Sequence, residues 1–126
     1  MREIGDIQAK LRANAYQNEE HVRFALVGRI LELLGWDIWD PAQVNAEFVP
    51  NPAEEKTKVD IALFRCAGAP DPVAFIEVKA VGKIANSLPE IERQLRDYNK
   101  NNTALFSIIT DGRTWADLKG CPWTFH

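Results

Sequence analysis

The stretch PVAFIEVKAVG, residues 72–82, decides how this chain is read. Val73, Ala74, Phe75, Ile76, Val78, Ala80 and Val81 make an apolar run of strand length, of the kind covered on both faces of a sheet. Glu77 and Lys79 interrupt it. Taking an unpaired charge into a protein interior costs on the order of several kcal/mol. Side chains alternate along a strand, so Phe75, Glu77 and Lys79 share one face and Ile76, Val78 and Ala80 the other. Either the two charges compensate each other, or the strand ends in a cleft where they act.

The preceding segment, KVDIALF at 58–64, has a similar oddity: Asp60 stands among Val59, Ile61 and Leu63. If the two strands are antiparallel neighbours, Asp60 and Glu77 approach each other, and two carboxylates that close repel unless a cation lies between them. Hard oxygen ligands in that number suit Mg²⁺, which is held by one or two carboxylates with water and substrate phosphate. A lysine alongside suits neutralising, orienting or deprotonating a water at the ion. Plainer readings stand beside these. Glu-x-Lys triplets are common, an edge strand often shows a solvated Glu/Lys face, and Asp before an apolar strand is often a turn residue.

Farther out, the pattern predicts a short amphipathic helix over REIGDIQAKLRANAY, with Ile4, Ile7, Leu11 and Tyr16 as its stripe. NEEHVRFALVGRILELLGWD predicts a core helix. Val22, Leu26, Ile30 and Leu33 form one line, with Phe24, Val27, Leu31 and Leu34 beside it. Asn18 is its expected N-cap, Glu19 and Glu20 suit its first turn, and Gly35 its C-terminal cap. QVNAEFV alternates as a strand, which Pro50 and Pro52 end. SLPEIERQLRDYNKNN predicts a helix with a Ser87/Glu90 capping box, and TALFSIITDG a buried strand turning at Asp111-Gly112 into RTWADL. The order helix, helix, strand, strand, strand, helix, strand, strand predicts an α/β (α+β) layer fold around one central mixed sheet.

The joint spacing, an Asp-bearing strand, a loop, then Glu-x-Lys on a buried strand flanked by helices, resembles the PD-(D/E)XK nuclease superfamily. Val59 stands where the motif has its proline, a common departure. The likeness extends to the N-terminal nuclease domain of type I restriction enzyme motor subunits: a helix-start glutamate matches Glu19 (Glu20 if the register slips by one), followed by Arg23 and Gly35-Trp36. Gln94 and Tyr98 match that group's Q-x-x-x-Y, four apart on one helix face. The similarity runs in order over roughly residues 18–118. It implies a restriction-endonuclease-like core and Mg²⁺-dependent hydrolysis of DNA phosphodiesters, with Mn²⁺ as substitute. Asp60, Glu77 and the Val78 carbonyl would hold the metal, with Glu19 supporting it. Lys79 would activate or position water, and Gln94 and Tyr98 would orient phosphate or lysine. Implied partners are DNA and a separate motor or specificity subunit; a homodimer would suit two-strand cutting. The rival reading is a catalytically silent nucleic-acid-binding or protein-interaction module that keeps the fold.

The remaining features bound these readings. The chain has 126 residues, 46% hydrophobic and 26% charged, as expected of one globular domain spanning 1–126. Its net charge of −3 gives no global signal for nucleic acid. Cys66 and Cys121 lack metal or disulfide spacing, no apolar run spans a membrane, and the start lacks a signal-peptide core, so a cytoplasmic home is expected. His21 and His126 have no partners at zinc spacing. Trp36, Trp39, Trp115 and Trp123 read as packing residues. Lys56, Lys58 and Lys83 bracket the candidate site as phosphate contacts or solvated loop. Glu47 either reaches the metal or lies on the surface. There is no phosphate-loop motif, so no motor lies within the chain.

Overall fold

A computed structural model describes residues 2–49, 58–65, 71–84, 89–90, 93, 104, 106–117 and 123–124. Helix α1 is Arg2–Arg12. A second helical rod comprises α2 (Glu19–His21), a π-helical turn (Val22–Val27) and α3 (Gly28–Leu33). Among the described residues six strands follow: β1 Val44–Phe48, β2 Val59–Leu63, β3 Ala74–Val78, β4 Phe106–Thr110, β5 Thr114–Asp117 and β6 Trp123–Thr124. They form one sheet in chain order, antiparallel throughout except for the parallel β3–β4 pair. A parallel pair needs a crossover. Within this one, Pro89, Glu90 and Arg93 are helical and exposed, while Ser87, Gln94 and Tyr98 lie outside the described residues. The mixed sheet with helices matches the expected layer class, and the tail adds a strand, β6, that the sequence did not suggest.

The rod forms where its caps allow. Asn18 Oδ1 accepts the His21 N–H at 2.9 Å, satisfying one orphan donor of the first turn. At the far end Trp36 N donates to Leu31 O and Gly35 N to Glu32 O, both at 3.0 Å, the paired bonds of a Schellman stop. Between them the chain widens into a π turn, in which Gly28 N–H reaches back five residues to the Arg23 carbonyl. That turn corrects the expected apolar stripe. Val22, Leu26, Val27, Ile30 and Leu31 are buried, but Phe24 is 76% and Leu34 70% exposed.

The principal core lies between the helices and one sheet face, where Ile7, Tyr16, Leu26 and Ile30 meet Ile61, Ile76, Val78 and Trp115. Each fully buried aliphatic side chain there contributes about 1.5–3 kcal/mol, enough in sum to tolerate one costly polar residue in β3. Arg29 donates to Asp6 and clips α1 onto the rod. On the opposite face Phe75 sits with Val59, Ala62 and Ala104, and Phe48 stacks edge-on to Phe64 at 5.5 Å. Of the tryptophans, Trp115 is buried and Trp36 packs on the core, but Trp39 is 74% exposed and is not the packing residue expected. No helix among the described residues is long and apolar enough to cross a membrane.

Candidate active site

Strand β3 is buried along its whole length, Glu77 included, at 6% exposure. Its pairing with β2 covers Ile61↔Ile76, Ala62↔Phe75 and Leu63↔Ala74. Beyond that register, Val78 N–H donates instead to Asp60 Oδ2 at 2.7 Å. A carboxylate thus takes the backbone donor at the end of the ladder, where the two strands part. The N–H and C=O of one strand residue point the same way, so the Val78 carbonyl faces the same edge. On its other side β3 continues: Lys79 N donates to Thr110 O at 2.9 Å.

Extending the β2–β3 register by one residue sets Asp60 opposite Glu77. The β1–β2 pairs Ala46↔Ile61 and Phe48↔Val59 set Glu47 opposite Asp60. Glu47, Asp60 and Glu77 therefore form a row across three strands. Lys79 Nζ lies 3.7 Å from Glu77 Oε1. From the helical rod Arg23 reaches down, with Nη1 3.8 Å from Glu47 Oε1 and 3.9 Å from Asp60 Oδ1.

The electrostatics follow from this crowding. Burial pushes the Glu77 carboxyl up to about 8, helped by the charge of Asp60 and by hydrogen bonding to it, with Glu19 adding through space; Lys79 opposes. With both carboxyls ionised, Glu77 Oε2 is buried and has no hydrogen-bond partner among the described residues. An acceptor left in that state is satisfied by a proton or by a cation. Two carboxylates and a backbone carbonyl on one edge fit a hard divalent ion completed by water. Among the described residues, no group of three His, Cys, Asp or Glu side chains stands together at metal-holding distance. Glu19, expected to support the metal, is exposed and raises Glu77 by its charge. Its neighbour Glu20 is taken by Arg23.

A supporting layer holds Lys79 in place. The turn Ala80–Lys83 closes with Lys83 N donating to Ala80 O at 3.1 Å. Gly82 occupies its third position at φ 85°, the left-handed conformation that a type II turn requires. Gly82 N donates to Asp111 Oδ2 at 2.9 Å, while Asp111 Oδ1 accepts from Arg113 N and Thr114 N at 2.9 and 2.6 Å. Asp111 is 3% exposed, so its three backbone bonds offset its desolvation and tie the β4–β5 hairpin to the turn after Lys79.

The structure brings together Asp60, Glu77, Val78 and Lys79. Gln94, Tyr98, Lys56, His126, Cys66 and Cys121 lie outside the described residues. Lys58 and Lys83 are exposed, and His21 Nδ1 accepts from Gln17 N. Reading the sequence missed the part played by Arg23, although its i, i+3 spacing from Glu20 signalled an ion pair, and the part of Asp111, hidden within an ordinary turn signature. Comparison with protein-family models, with curated proteins and with solved structures finds no match for the chain.

Proposed function

We propose that the chain is a metal-dependent nuclease domain with a restriction-endonuclease-like core, hydrolysing DNA phosphodiesters. The observation that carries this reading is the buried oxygen of Glu77, without a hydrogen-bond partner among the described residues, beside Asp60 and Lys79 where β2 and β3 separate. Asp60, Glu77 and the Val78 carbonyl would hold Mg²⁺ or Mn²⁺. When bound, the ion supplies positive charge that offsets the repulsion between an anionic diester and an oxygen nucleophile. Asp60 contributes a ligand oxygen already oriented, because its other oxygen is fixed on Val78 N–H. Lys79 Nζ, held near Glu77, orients the attacking water and stabilises the proton-deficient oxygen as it adds to phosphorus. One P–O bond forms to that water, which gives up a proton to solvent; the bond to the departing sugar oxygen breaks, and that oxygen takes up a proton from solvent. Gln94 and Tyr98 would orient the phosphate. DNA is the proposed partner, with a separate motor or specificity subunit, or a second copy of the chain, beside it.

A silent binding module is the second reading; in it Lys79 beside Glu77 and Arg23 facing Asp60 would be standing counter-ions of a site without metal. Incubation of the purified chain with plasmid and single-stranded DNA in Mg²⁺, Mn²⁺ and chelator tests the two. Cleavage that needs the ion and is lost in Asp60→Ala and Lys79→Ala supports the nuclease. DNA binding without cleavage at any ion concentration supports the module.

A further inference from the structure

We propose that Arg23 is the resident counter-ion of Glu47 and Asp60, and that a divalent cation held by Asp60 and Glu77 displaces it from Asp60. The inference rests on the metal-binding reading above and adds a positioning residue to it. Arg23 Nη2 is anchored on Glu20, 2.8 Å from Oε1 and 2.6 Å from Oε2. Its Nη1 faces Glu47 and Asp60 at 3.8 and 3.9 Å, beyond hydrogen-bond length, so those two contacts are attraction alone. Moving off Asp60 therefore breaks no hydrogen bond. Asp60 divides its oxygens accordingly: Oδ2 is fixed on Val78 N–H, and Oδ1 looks toward the guanidinium. That is the oxygen a metal would use.

Three further features suit an exchange. Arg23 borders a groove of about 260 Å³ shared with Phe24, Gly28, Ile38 and Trp39, which gives the guanidinium room to withdraw while Glu20 keeps hold of it. Its carbonyl is the acceptor of the π turn, a local widening of the helix that recurs at functional sites. Glu47, opposite Asp60, has left-handed backbone at φ 53°, which a non-glycine strand residue keeps only when its surroundings enforce it. Glu20, Glu47 and Asp60 surround the one guanidinium and outnumber it, so a doubly charged ion is the stronger occupant beside Asp60 and Arg23 the weaker one it replaces.

Removing Arg23 should thus move two properties in opposite directions. In Arg23→Gln, thermal unfolding in chelator should occur at lower temperature, because the carboxylates lose their counter-ion. Calorimetric titration with Mn²⁺ should give affinity about tenfold tighter, since a like charge near a ligand oxygen is gone. Arg23→Lys should restore the wild-type affinity. An arginine that merely holds the fold would lower stability and metal affinity together, and that result, or unchanged affinity in folded Arg23→Gln, overturns the proposal. Should Arg23→Gln fail to fold, the wild-type chain decides: Arg23 side-chain NMR signals should shift with added Mg²⁺ and saturate with the calorimetric Kd, and signals that stay fixed overturn it. Wild-type protein that binds neither ion removes the metal site itself, a failure distinct from a wild-type site indifferent to Arg23.

Discussion

Asp60 holds the Val78 N–H on Oδ2 at 2.7 Å, at the point where β2 ceases to pair with β3. A side chain thus replaces a strand carbonyl, and the separation of the strands and the placement of an acid become one event. The same residue also raises the neighbouring Glu77. Fold and chemistry are therefore coupled at Asp60, and substitutions there separate them only if the hydrogen bond is treated apart from the charge.

Asp60→Asn keeps an acceptor for Val78 N–H and should leave stability within about 1 kcal/mol of the parent. Asp60→Ala strands that donor and should cost about 1–3 kcal/mol. Urea denaturation in chelator distinguishes them. Both variants lose a charge of the proposed metal site, so both should lose Mn²⁺ binding by calorimetry. Equal stability of the two would show that the bond to Val78 contributes little.

Glu77 gives the metal-free protein a pH dependence of definite sign. Its carboxyl titrates near 4.5 when unfolded and is pushed up to about 8 when folded, mainly by burial and then by Asp60. Between those values the folded state holds more protons than the unfolded, so stability falls as pH rises. The contribution is complete below 4.5 and gone above about 8. Melting curves in chelator from pH 5 to 9 should decline over this window, and Glu77→Gln should flatten them. Metal binding requires the ionised form, so Mn²⁺ affinity should rise over the same window with release of a proton.

Lys79 should divide binding from catalysis. It is not placed as a ligand, so Lys79→Met should still bind Mn²⁺ while cleavage falls by about 10²–10⁴-fold, the usual contribution of a positioned acid–base group. Of the groups acting on Glu77, Lys79 favours ionisation. The variant's metal-affinity profile should therefore move to higher pH. Parallel loss of metal binding at every pH would instead make Lys79 part of the ion's cradle.

Much of this arrangement was legible because its signals are local. Asn18, Gly35 and the Asp111-Gly112 turn act within a few residues, and each forms the cap or turn its chemistry favours. Burial of Ala74–Val78 followed from composition, and the charges at Asp60, Glu77 and Lys79 stood out against it. What stayed hidden depends on geometry that the 3.6-residue period does not encode. The π turn rotates Phe24 out of the stripe to 76% exposure and turns Arg23 over the sheet. The left-handed backbone at Glu47 is invisible in an alternating strand. Asp111 read as a turn former, because a buried carboxylate that satisfies a distant backbone N–H has no spacing of its own.

Gly112 links the core to Lys79, and its substitution tests that link. A Cβ at this position would lie 2.1 Å from Leu26 Cδ2 and 2.6 Å from Leu26 Cγ, on backbone at φ 83°. Overpacking costs about 1–3 kcal/mol and the left-handed conformation about 1–2 more, so Gly112→Ala should be clearly destabilising. The clash pushes on Asp111, whose carboxylate holds Gly82 N–H and with it the turn behind Lys79. Leu26→Ala alone should cost about 2–5 kcal/mol by leaving a cavity, but it removes the clashing atoms. The double variant should therefore lose less than the sum of the singles, by at least 0.5 kcal/mol or so in denaturant titrations. If the hairpin positions Lys79, cleavage by folded Gly112→Ala should fall while Mn²⁺ affinity holds, and adding Leu26→Ala should recover part of the rate. Strict additivity with unchanged cleavage would mean that the hairpin packs on the helix without governing Lys79.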